Sequence, residues 1–365
     1  MKIGILTHYS VYNQGAQLQM YAMKYWLEEH GHQVVILTYK KNFDFDKSEE
    51  SKNSGSVSAI GYYIKNYLLD KGLGLTFFNT KKVMALKKAF QNIETAPYNH
   101  SGCDVIIIGS DEVFSIDVGC NKMMYGYDIG NIPVIAYAPA FGRTTEGLLK
   151  EYNCYEIVQT GLKNMYALSA RDLHTQQMIE SITGRRVPMV CDPVILYSGK
   201  KFVTNEKHIS KRYMLIYSYD CNMTDEKEIY EIKTYAKKHK LQTVSVGTYH
   251  KWCDKNIVCN AAEWYSYFCK ASCVVTDTFH GAVAAIKNHC NVAVYIRKSI
   301  NVFKLESLLK TTGLEDRRLS DITEKNLEKI LQKKIDYQKV DENLAKMIDF
   351  SENYLEKSLE NINVK

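Results

Sequence analysis

In Lys2-Ile3-Gly4-Ile5-Leu6-Thr7, Ile3 to Leu6 form an unbroken apolar run that stops on the polar Thr7, and Val34-Val35-Ile36-Leu37 is a second such run. Between them Ala16, Leu18, Tyr21, Ala22, Tyr25 and Trp26 recur at helical spacing, and Gly31 marks the helix end. Apolar runs without alternation belong to parallel strands covered on both faces, so the first forty residues read as a strand–helix–strand unit. The pattern resumes with expected strands at 105–108, 134–138, 167–169 and 187–190 and expected helices at 145–163 and 173–183, the second ended by Gly184. A largely polar stretch, 199–212, then reads as a linker. A second block follows, with strands at 213–217, 243–246, 273–275 and 292–295 and helices at 225–240, 261–270 and 282–289.

Two α/β blocks with a trailing helical region predict two Rossmann-like domains facing a cleft. The expected boundaries are 1–198 for the first domain, 211–323 for the second and 324–365 for a helical tail packing back on the first. Residues 41–103 fit neither block well. They begin acidic and serine-rich and continue with helical-looking apolar and basic segments, and read as a surface insertion, partly mobile.

At 365 residues, 45% hydrophobic and 24% charged, the chain has the composition of a water-soluble globular protein. Its net charge of +6 comes from lysines spread over helical faces, which argues against a nucleic-acid groove. The ten cysteines show no C-x-x-C pair and read as reduced, buried thiols. His250, Cys253 and Cys259 match no standard zinc spacing, so no metal is expected. The start lacks the pattern of a signal peptide, and no run nears the ~20 apolar residues of a membrane span. The expected location is the cytoplasm.

Ligands of open α/β sheets sit beyond the carboxyl ends of the strands, so the residues that follow each apolar run are the candidates. They are Thr7, His8, Tyr9, Asn13, Gln14 and Gly15; Ser110, Asp111 and Glu112; Arg171 and Asp172; Asp192 and Pro193; and Asp277, Thr278, Phe279 and His280. His280 stands where a short strand turns into a small-residue helix expected to begin just past it. Exposed N–H groups at a helix start favour anions there, and imidazole titrates near neutrality. Arg171 offers a planar fork for carboxylate or phosphate, or else an ion pair with Asp172 or a neighbouring helix. Asp111 presents a carboxylate able to accept a hydroxyl proton, or a helix cap. Asn13 and Gly15 suit a helix start equally well, and Asp192-Pro193 reads first as a turn. No G-x-G-x-x-G, Walker or G-x-S-x-G motif occurs.

Six segments in order resemble the polysaccharide pyruvyl transferase family. They are the opening through Tyr12-Asn13-Gln14-Gly15-Ala16, Gly109-Ser110-Asp111-Glu112, Ala136-Tyr137-Ala138-Pro139-Ala140-Phe141-Gly142, Ser169-Ala170-Arg171-Asp172, Cys191-Asp192-Pro193-Val194 and Thr276-Asp277-Thr278-Phe279-His280-Gly281. The resemblance implies a glycosyltransferase B-like fold with a C-terminal helix crossing back. It implies transfer of a pyruvyl group from phosphoenolpyruvate, as co-substrate, to a sugar of an exopolysaccharide or cell-wall glycan, as a ketal, with no further cofactor. By position, Arg171 would hold the donor and His280 would contact it as acid, with Asp111 as the base. Asn13, Gln14, Gly15, Ser110, Thr278, Phe279 and Gly281 would line the substrate site. Members carry an arginine where this chain has Thr278, so Arg143, Arg297 or a lysine is the candidate replacement. A lipid-linked acceptor, and with it contact with the inner face of the membrane, is compatible with this reading; oligomeric state is not legible. Two rivals share the cleft: a sugar transferase with a nucleotide-sugar donor, and a glycan-pathway binding protein without turnover.

Overall fold

The computed structural model describes residues 1–40, 72–116, 121–204, 209, 211–297 and 302–362. Twelve strands are described: β1 Lys2–Leu6, β2 Gln33–Thr38, β3 Thr95–Pro97, β4 Val105–Ile108, β5 Val134–Ala136, β6 Ala167–Leu168, β7 Tyr213–Tyr217, β8 Gln242–Val246, β9 Lys255–Ile257, β10 Cys273–Thr276, β11 Val292–Tyr295 and β12 Arg318–Leu319. They form two six-stranded sheets, ordered β3-β2-β1-β4-β5-β6 and β12-β11-β10-β7-β8-β9. Every pairing among these strands is parallel. Read from its other edge, the second sheet repeats the order of the first. Each therefore has one point where the chain reverses its direction of travel, between β1 and β4 and between β7 and β10.

Several expectations change. Of the segment 41–103, residues 41–71 lie outside the described residues. The remainder is no loose insertion: Gly72–Phe90 is a helix, and β3 completes the edge of the first sheet by pairing with β2. The single helix expected over 145–163 is two, Glu146–Glu151 and Tyr155–Asn164, broken where Asn153 takes a left-handed φ of 53°. Residues 187–190 form no strand, only one bridge from Met189 to Ala170. The helix of the second block begins at Phe279, before His280 rather than after it. The helix Val302–Thr312 has no counterpart among the expected elements. Cys221 and Cys269 are exposed, whereas the other seven described cysteines are buried.

One apolar cluster runs through both blocks. It joins Ile3, Leu18 and Trp26 to Ile195 and Tyr197, and these to Tyr217, Trp264, Phe268 and Leu355. Opposite faces of the sheets have their own clusters, around Ile106 and Phe141 and around Ile216 and Ile232. The tail crosses back as the helix Tyr337–Glu360. Ser351 Oγ accepts from the Cys191 N–H at 2.9 Å, Glu352 accepts from the Trp26 indole at 3.0 Å, and the Asn361 carbonyl accepts from Tyr166 at 2.9 Å. No described helix is long and apolar enough to cross a membrane.

Candidate active site

The crevice at a sheet's reversal point is where ligands of such folds bind, and here two of them face each other. On the first sheet the loop after β4 is pinned from below. The Ser110 N–H donates to Gln19 Oε1 at 3.2 Å, the Gln19 amide donates to Thr7 Oγ1 at 2.9 Å, and Thr7 donates to the Ser110 carbonyl at 3.0 Å. This closed set leaves the Ser110 hydroxyl to donate to Asp192 Oδ2 at 3.1 Å.

Asp192 is the hub. Its Oδ1 accepts the Val194 N–H at 2.9 Å, which caps the short helix Pro193–Leu196 as the Asp-Pro sequence suggests. Its Oδ2 also receives Arg171 Nη1 at 3.1 Å and lies 3.6 Å from His280 Nε2. Burial alone would raise the Asp192 pKa, but the close approach and charge of His280 and the charge of Arg171 outweigh it and hold the carboxyl below its ordinary range.

Arg171 follows β6 and is 8% exposed. Its Nη2 lies 3.6 Å from Asp111 Oδ1, and its guanidinium stacks 4.7 Å above the Phe279 ring. Nε and Nη2 are buried and make no hydrogen bond among the described residues. Asp192 and Asp111 offset its charge, but buried N–H donors without acceptors are costly, so this face of Arg171 is set up for carboxylate or phosphate oxygens. Asp111 behaves like Asp192: burial would raise its pKa, but Arg171, then His280, His8 and Lys304, keep it below the usual carboxylate range. It is ionised at neutral pH.

His280 sits in the first turn of Phe279–Lys287. Thr278 caps that helix, its Oγ1 accepting from the Gly281 N–H at 3.1 Å. The helix Gln14–Glu29 meets the imidazole from the first block: a Cβ on Gly15 would come within 2.6 Å of His280 Cβ, Cγ and Nδ1. Glycine is required there by this close approach. His280 Nε2 is buried and has no partner within hydrogen-bond distance among the described residues, Asp192 standing just beyond it, so it remains available to a ligand. Gly281 answers a second close approach, its Cα facing Thr276, Thr278 and the Tyr217 ring.

The structure thus gathers His280, Asp111, Arg171, Ser110 and Phe279 around Asp192. Other candidates spend their side chains on architecture. Asn13 caps its helix, accepting from Gly15 N–H at 2.8 Å and Ala16 N–H at 3.2 Å, and bonds Tyr219 of the second block. The Gln14 amide donates across the blocks to the Cys259 carbonyl at 3.3 Å, and the Thr278 hydroxyl is taken by its cap. Arg297 is committed to Asp277 at 2.8 Å and Glu228 at 3.4 Å, and Arg143 is exposed.

Among the described residues, a cation that does reach the site is Lys304, near the start of Val302–Thr312, with its Nζ 2.8 Å from Glu112 Oε1. It lines a cavity of about 420 Å³ with Arg171, Asp192, Phe279, Leu308 and Met347. Sequence alone passes over Lys304 because it lies nine residues past the end of β11, outside the strand-end positions. It also discounts Asp192, whose turn role is sufficient to explain it.

Solved structures share this fold at low identity. The S. aureus MnaA–UDP co-structure superposes with a TM-score of 0.51 at 10% identity, covering 100% of this chain and 98% of that one. UDP-GlcNAc 2-epimerase from Neisseria meningitidis bound to UDP-GlcNAc gives 0.51 at 13% identity, covering 99% and 100%. The fold is that of the glycosyltransferase B group. Among curated proteins none matches the chain in sequence. The family model for polysaccharide pyruvyl transferase matches residues 13–299, a span holding Arg171, Asp192 and His280, and the chain belongs to that family.

Proposed function

We propose that the chain moves the three-carbon unit of phosphoenolpyruvate onto two hydroxyls of a glycan sugar, forming a pyruvate ketal and releasing phosphate. The observation that carries this reading is the buried Arg171 fork, anchored by Asp192 and Phe279 with Nε and Nη2 unused, beside the unpartnered His280 Nε2. Such a fork suits the donor's carboxylate or phosphate, and Lys304 stands near enough to share the remaining charge.

The chemistry asks for two proton movements. His280, as imidazolium, gives a proton to the terminal methylene, which becomes the methyl group, and C2 becomes electrophilic. A sugar hydroxyl attacks C2 and passes its proton to Asp111. Asp111 is a weak base in the resting site, so its transfer is favoured only as the C–O bond forms and acidifies the hydroxyl. The second hydroxyl then displaces phosphate from C2, its proton leaving on the phosphate. The atoms balance: one hydroxyl proton makes up for the one placed on carbon, and the other departs with the leaving group.

A nucleotide-sugar donor is the rival, because proteins of like fold hold UDP or UDP-GlcNAc. Purified protein incubated with phosphoenolpyruvate, or with nucleotide sugars, and a pool of nitrophenyl and lipid-linked sugars decides between them. Acceptor-dependent phosphate release, lost in Arg171→Ala, is the expected result. Nucleotide release would transfer the reading to a sugar transferase, and release from neither donor would make the cleft a binding site.

A further inference from the structure

The helix Gly72–Phe90 turns Leu75, Phe78 and Leu86 inward, yet it also carries large apolar side chains on its outer face. Leu73 is 74% exposed, Phe77 63% and Met84 64%. At spacings of four and seven residues these three fall on one stripe. The helix contains Lys81, Lys82, Lys87 and Lys88 and no carboxylate. Lys81, Lys87 and Lys88 are exposed and flank the stripe, with Lys81 Nζ 4.1 Å from the centre of the Phe77 ring. The helix also rides both halves of the molecule beside the cleft. Phe90 stacks on Tyr9 at 5.4 Å and Lys87 reaches Tyr12 at 5.7 Å in the first block, while Phe78 packs on Tyr249 of the second at 5.5 Å.

We propose that this outer face docks the protein on an anionic lipid bilayer, lying in the interface with Leu73, Phe77 and Met84 inserted and the lysines among the headgroups. A convex apolar stripe bordered by lysines, on a helix without acidic residues, complements a negatively charged, deformable surface. A protein partner fits it less well, because lysine is depleted from protein interfaces. Docking there sets the cleft at the membrane surface and does not depend on which donor the cleft uses.

Sedimentation of the full chain with vesicles of phosphatidylcholine alone, or with about one-third phosphatidylglycerol, tests this. Expected is binding to the anionic vesicles only, weakened by salt. Lys81→Gln/Lys88→Gln should lower the partition coefficient at least about tenfold, at roughly fivefold per lysine. Leu73→Gln/Phe77→Gln/Met84→Gln should abolish binding while leaving the thermal midpoint unchanged. If the triple variant unfolds, the lysine pair, which replaces only exposed side chains, decides the question. Wild-type protein that stays in the supernatant, or variants that bind as well as wild type, would overturn the proposal. So would a dimer in analytical ultracentrifugation that these substitutions dissolve without any vesicle binding, since the face would then belong to a second copy.

Discussion

Asp192 illustrates how one buried carboxylate can organise a site without touching the reaction. It accepts from Val194, Ser110 and Arg171 and faces His280, so its charge is offset on several sides. Removing one partner from a buried ionic set costs about 3–5 kcal/mol, and Asp192→Asn should destabilise the protein by that order near neutral pH. The pH dependence has a definite sign. The pKa of Asp192 is depressed in the folded chain, so its contribution is complete above the ordinary carboxylate pKa of about 3.9 and fades as pH falls towards the folded value. Urea unfolding at stepped pH should show the gap between wild type and Asp192→Asn narrowing below about pH 4; a gap that stays constant would remove Asp192 from this role. Arg171 tests recognition instead. Arg171→Lys keeps the charge and loses the fork, and should lower kcat/KM for phosphoenolpyruvate about 10²–10³-fold, the scale of losing one aligned donor to developing charge. Retention within threefold would show that charge alone suffices.

The elements around these residues explain what can be read from the sequence. Strands β1, β4, β7 and β10 are continuous apolar runs buried on both faces, and such runs announce themselves. Strands β3, β9 and β12 hold two or three residues each and exist because a neighbour's edge pairs with them, so their own side chains carry little signal. The helix start at His280 lies a few residues earlier than expected because Thr278 is the cap, and a threonine between an aspartate and a phenylalanine can be read as turn or cap alike. The residues of the site are legible by the strand-end rule, but their grouping around Asp192 is not, since it depends on how 167–192 folds back against β4. The contact between two helix starts at Gly15 and His280 is equally invisible. It yields a sharp expectation: Gly15→Ala places a methyl against the imidazole, which must shift, and should cut kcat more than about tenfold while also lowering the thermal midpoint. Unchanged turnover would mean that His280 has room to shift and that this contact does not set its position.

At the scale of the whole molecule, the two sheets repeat one strand order and are joined by an apolar cluster and a crossing helix, so the cleft between them is the place where their polar strand ends must meet. Lys304 and Glu112 make that meeting explicit, one from each block, 2.8 Å apart and both partly screened from solvent. A pair of this exposure contributes about 1 kcal/mol or less to stability, which makes it easy to exchange one partner for another. On the proposed reading, an arriving phosphoenolpyruvate would draw Lys304 away from Glu112, replacing a carboxylate with a more highly charged anion. The two substitutions separate this exchange from a purely structural strut. Lys304→Gln should raise KM for phosphoenolpyruvate about tenfold, equivalent to ~1.4 kcal/mol, with kcat less affected. Glu112→Gln frees the lysine and should leave KM equal or lower. If the pair is only a strut, both variants loosen the cleft alike and both raise KM; steady-state kinetics on the two proteins at fixed acceptor concentration distinguishes the cases.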